Sequence, residues 1–99
     1  MTTTELYAEI RKIQQTDGLA DQVGYSASTK TIILRRGFFY THGQNSKTFV
    51  TRIVEKLTAH GLDGKYRVVD SGEVWKSFNG GAKLSASSHW FCKLQGVEE

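Results

Sequence analysis

From Phe49 to Leu57 the apolar residues return every three or four positions, as Phe49, Val50, Ile53, Val54 and Leu57, while Lys47, Thr51, Arg52, Glu55 and Lys56 fall largely outside that stripe. A helix that is apolar along one side has to lay that side on a second layer. Glycine at 61 ends the pattern, and Leu62 just beyond it is placed to make the hydrophobic contact that accompanies a glycine stop. Asn45 or Ser46 is suited to cap the start.

A second helix is marked at the beginning of the chain. Thr2 and Glu5 have the spacing of a capping box, Leu6, Ile10 and Ile13 recur at helical intervals, and Asp17-Gly18 supplies a stop, so a helix is expected over about Thr3 to Thr16. Leu19 to Thr29 shows no period and reads as a mobile loop. Thr31 to Leu34 and Phe38 to Thr41 are rich in β-branched and aromatic residues, and Gly37 between them marks either a tight hairpin or a bulge in one long strand. Tyr66 to Asp70 reads as a strand, Ser71-Gly72 as a turn, Val74 to Phe78 as a strand and Asn79-Gly80-Gly81 as a turn. Two strands flanking the second helix, if parallel, would be joined by a right-handed crossover. In the last strand Trp90, Cys92 and Leu94 alternate with His89, Phe91 and Lys93, so the first set should meet the core and the second the surface.

These elements predict one α+β domain over residues 1–99. Two helices cover one face of a mainly antiparallel sheet of four or five strands, in the order α-β(β)-α-β-β-β, with a frayed acidic tail at about 95–99. The 99 residues suffice for one core without staples. Proline is absent, so Gly, Asn, Asp and Ser must make the turns. The lone Cys92 excludes an internal disulfide framework, and the N-terminus lacks the basic start and apolar run of a secretory signal, which points to a reducing, cytoplasmic setting. No apolar run approaches the roughly 20 residues that span a bilayer.

Charge is distributed unevenly. Residues 1–29 set Arg11 and Lys12 against Glu5, Glu9, Asp17 and Asp21, a net of −2, and Glu98 and Glu99 add another −2 at the end. Between Lys30 and Lys93 eleven Lys and Arg face Glu55, Asp63, Asp70 and Glu73, a net of +7 within a total of +3. If those cations share a face they would concentrate a polyanion.

Four groups of residues bear on chemistry. Thr41 to Thr48 ends in Lys-Thr at a strand-to-helix junction, as a phosphate-binding loop does, but Thr41 and Ser46 stand where that loop needs glycines, and nucleotide hydrolysis is not expected. What survives is a simpler anion contact by Gln44, Ser46, Lys47 and Thr48. His89 and Cys92 lie three apart, which places them on opposite faces of a strand, and four zinc ligands are available only if His42, His60 and an acidic residue converge as well. Asp70 and Glu73 read as turn residues rather than a catalytic pair. Finally, Trp75, Lys76, Phe78, Lys83, Ser85, Ser87, Ser88, His89, Phe91 and Lys93 interleave cations, hydroxyls and rings. The aromatic strands lack the ribonucleoprotein motif of RNA-recognition domains, no K-homology GxxG loop is evident, and the element order departs from that of double-stranded RNA-binding domains. The expectation is a binding module, not an enzyme, working without cofactor or metal. Nucleic-acid backbone recognition comes first, through Arg35, Arg36, Phe39, Tyr40, Gln44, Ser46, Lys47, Thr48, His89, Phe91 and Lys93. The alternative is an inhibitor or adaptor that meets an acidic protein surface, such as that of a larger nucleic-acid-handling complex.

Overall fold

Both bonds of the capping box are made at the start of the first helix, α1 (Thr3–Thr16): Glu5 N–H donates to Thr2 Oγ1 at 3.2 Å, and Thr2 N–H donates to Glu5 Oε1 at 2.9 Å. The Thr2 N–H, and after it the Thr2 hydroxyl, hold the Glu5 carboxyl below its ordinary pKa. The structure, a computed structural model, describes residues 1–37, 46–74 and 89–98. Helix α1 buries Leu6, Ile10 and Ile13, the three positions its periodicity assigns inward. It ends where Gly18 adopts a left-handed φ of 67°.

The segment read as a mobile loop at 19–29 contains a strand, β1 (Gln22–Ser26), paired antiparallel with β2 (Thr31–Gly37). Gly24 and the serines give it no strand signature. Its alternation becomes meaningful only against β2, where Val23 and Tyr25 face Leu34 and Ile32 on the inner side. The Tyr25 ring stacks on Tyr7 of α1 at 5.4 Å. The approach to β1 is pinned by Gln14, whose Oε1 accepts from Leu19 and Ala20 N–H at 2.7 and 3.0 Å while its Nε2 donates to Ala20 O at 2.5 Å. The strand β2 runs unbroken through Arg35 and Arg36 to Gly37; the second half of the expected hairpin or long strand, Phe38 to Thr41, lies outside the described residues, as does the capping candidate Asn45.

The second helix, α2 (Ser46–Ala59), buries Phe49, Ile53 and Leu57, and Gly61 with φ 81° turns the chain so that Leu62 N–H donates to Leu57 O at 2.9 Å. Leu62 enters the core as expected. Beyond it, β3 (Tyr66–Val74) continues through Ser71-Gly72, which the sequence marks as a turn. Pairing with β4 (His89–Gly96) overrides the turn tendency, and the chain absorbs the irregularity as a bulge between Val68 and Asp70. The remainder of the predicted strand after Val74 and the Asn79-Gly80-Gly81 turn lie outside the described residues.

Among the described residues the sheet has four strands in the order β1-β2-β4-β3, every neighbouring pair antiparallel. Strands β2 and β3 therefore run in the same direction but are not adjacent, because β4 lies between them. The fold is α+β, with both helices packed on one face. Leu6, Ile10, Ile32, Leu34, Ile53, Leu57, Cys92 and Leu94 are buried between the layers, and Trp90 stacks on Phe49 at 6.3 Å. The helices are also joined at one end. Lys56 Nζ donates to the carbonyls of Asp17 and Gly18, each at 2.8 Å, placing a cation at the C-terminus of α1 where unpaired carbonyls point. The Asp17 carboxyl is held below its usual range, first by its hydrogen bond with His60 and then by the Lys56 charge.

The expected frayed tail is instead anchored as far as Glu98. Gly96 is buried in β4, its N–H donates to Thr3 Oγ1 at 3.0 Å, and the Met1 amino group lies 2.8 Å from Glu98 Oε1.

Candidate binding surface on the open sheet face

Register sorts the candidate residues by face. Along β4, Trp90, Cys92 and Leu94 point into the core, while His89, Phe91 and Lys93 point to the face away from the helices. Arg35 lies opposite Phe91 and joins that open face, with Ile33 opposite Lys93. Arg36 is one residue further along the strand and therefore on the other side, opposite Trp90 and half-buried. Two adjacent arginines thus serve different surfaces. Nor does Lys47 join Arg35: it is exposed on α2, in the helical layer across the sheet. A single rim shared by Arg35, Arg36 and Lys47 is not formed.

On the open face Ile33, Arg35, Val74, His89, Phe91 and Lys93 line a shallow depression of about 150 Å³. The Lys93 ammonium lies 5.5 Å from the centre of the Phe91 ring, a cation–π contact contributing about 0.5–1 kcal/mol at an exposed site. On its other side Phe91 leans over Gly72: a Cβ at that position would stand 3.2 Å from two of the ring carbons. Among the described residues no carboxylate forms an ion pair with Arg35 or Lys93. Asp70 is the acidic residue in register with Lys93, and its Oδ1 accepts from Ser71 N–H at 2.9 Å. Ile33, Gly72 and Val74 are additions to the residues expected from the sequence. The phase shared by Ile33 and Arg35 in β2 is a usable signal, but Gly72 and Val74 join the face only through the bulged register of β3.

The start of α2 is arranged differently from the anion contact its sequence suggests. Ser46 N–H, half-buried, donates to Glu73 Oε1 at 3.3 Å, so one of the chain's own carboxylates stands at the positive end of the helix. Lys47 and Thr48 are exposed and half-buried respectively. Glu73 and Asp70 are strand residues on opposite faces of the sheet, not a turn pair. Phe39, Tyr40, Gln44, His42, Trp75, Lys76, Phe78, Lys83, Ser85, Ser87 and Ser88 lie outside the described residues.

Cys92 is fully buried, and burial pushes its thiol up to about 12. It faces the core while His89 faces the open side, which separates the two groups. Among the described residues no three His, Cys, Asp or Glu side chains come together as a metal site. Native protein is accordingly expected to resist a thiol reagent at neutral pH and to react after denaturant is added. Rapid labelling before unfolding would refute that burial.

Among the described residues no helix is long and apolar enough to cross a membrane. No protein-family model matches the chain, and no curated protein or solved structure matches it either.

Proposed function

We propose that this chain is a small, non-catalytic binding module that engages a nucleic-acid backbone through the open face of its sheet. The observation that carries the reading is the meeting of Arg35, Lys93 and Phe91 on a face that neither helix covers, with no carboxylate paired to either cation among the described residues. Guanidinium and ammonium groups suit phosphate oxygens, and an adjacent ring suits a base. The basic middle of the sequence adds long-range attraction for a polyanion.

A titration against DNA and RNA at two salt concentrations tests this. Affinity should fall steeply as salt rises, and replacing Arg35 and Lys93 together by alanine should reduce the salt slope by about 0.7 to 0.9 for each phosphate no longer neutralised. Stability should change by no more than about 1 kcal/mol, because both groups act at the surface. Replacing Arg36 and Lys47 instead should have the smaller effect on binding, since both belong to the helical side. Absence of binding by the parent protein at low salt would overturn the proposal, and the same open face would then be tested against an acidic protein surface, for which the planar donors of Arg35 are equally suited.

A further inference from the structure

Resting on the binding reading above, we infer that the nucleic acid accepted by the open face is single-stranded, with one unstacked base laid on Phe91. The first reason is shape. Four strands at a spacing of about 4.8 Å place the outermost backbones about 14 Å apart, wider than the roughly 12 Å major groove of duplex DNA. Both helices, the elements that enter grooves, pack on the opposite side of the sheet. Among the described residues, the face that bears Arg35 and Lys93 therefore presents a broad surface rather than a projecting one.

The second reason is the seating of the ring. Because residue 72 is glycine, Phe91 lies low over the neighbouring strand instead of standing against a side chain. Gly24 and Gly37 fall on the same face, at positions opposite Ile33 and His89. A ring lining a shallow, open depression is within reach of a flat ligand. Bases in a duplex are already paired and stacked and cannot reach it; a base in a single strand can.

The third reason is the placement of charge around that ring. Arg35 is beside Phe91 on the next strand, and Lys93 lies two residues from it along β4. The guanidinium and ammonium so arranged can hold the phosphates that flank a base resting on Phe91. The Lys93 ammonium, 5.5 Å from the ring centre, would turn from the ring to a phosphate when the base arrives.

Fluorescence anisotropy with three probes of equal length tests the inference: a single-stranded oligothymidylate, a DNA duplex, and a single strand of abasic residues. The single strand with bases is expected to bind at least tenfold more tightly than either other probe at equal salt, on the order of what one stacked base contributes. Phe91→Leu should weaken that binding about tenfold without altering the salt slope and should leave binding to the abasic strand unchanged. Gly72→Ala, whose added Cβ would displace the ring, should weaken the same probe in the same way and serves if Phe91→Leu fails to fold. Equal or tighter binding of the duplex, or full affinity for the oligothymidylate in a folded Phe91→Leu or Gly72→Ala variant, would overturn the single-strand inference while leaving backbone recognition standing. Failure of all three probes to bind the parent protein at low salt would remove both.

Discussion

Alanine at Leu57 is expected to lower the free energy of unfolding by about 2 to 5 kcal/mol. Leu57 is fully buried in the last full turn of α2, within the core formed with Ile53, Trp90 and Leu94, and its carbonyl accepts the Leu62 N–H that turns the chain after the helix. Truncation removes the transfer free energy of the side chain and leaves a cavity in a layer whose backbone is held by helix and sheet hydrogen bonds. A domain of this size has a net stability of roughly 5 to 15 kcal/mol, so the loss is a large share of the total. Denaturant unfolding gives the measurement: a lower midpoint with an unchanged slope is expected, and an unmoved midpoint would contradict the packing of α2 on the sheet.

Among the described glycines, Gly96→Ala should be the most damaging substitution to alanine. An alanine Cβ would stand 2.5 Å from the Thr2 carbonyl carbon and 2.7 Å from Thr3 N, and would also collide with Met1 O. All three are backbone atoms at the start of α1, so no rotamer change can clear them. Relief requires the helix start to move off β4, breaking the bond from Gly96 N–H to Thr3 Oγ1. Destabilisation at or beyond the upper end of the roughly 1 to 3 kcal/mol typical of overpacked cores is expected. Gly24→Ala is the comparison, since nothing lies within 4 Å of its added Cβ and its φ is not positive; there the change should be small. Equal unfolding midpoints for the two variants would show that α1 does not rest on Gly96.

Much of the architecture is legible in the sequence because it is local. The 3.6-residue recurrence of Leu6, Ile10 and Ile13, the Thr2–Glu5 spacing, and the stripe from Phe49 to Leu57 each specify a helix and its buried side from residues within one or two turns of each other. The alternation from His89 to Leu94 likewise separates Trp90 and Leu94 from Phe91 and Lys93 without reference to any partner strand. Those patterns depend on backbone periodicity alone, and two one-sided helices with amphipathic strands leave a two-layer α+β packing as the natural way to cover both.

What stays hidden depends on pairing between distant segments. β1 has weak strand character of its own and is held by β2 and by Tyr7, while Ser71-Gly72 stays extended because β4 supplies partners along its length. Glu73 meets Ser46 across 27 positions of sequence, and the tail is held by Met1 and Thr3 at the opposite end of the chain. The candidate surface shows the same division. Residue type points to Arg35, Arg36, His89, Phe91 and Lys93, and strand register keeps four of them on the open face and turns Arg36 toward the helices. Residue type and spacing determined which groups were available for chemistry; only the tertiary structure decided which of them face the same side, because a shift of one residue along a strand moves a side chain across the sheet.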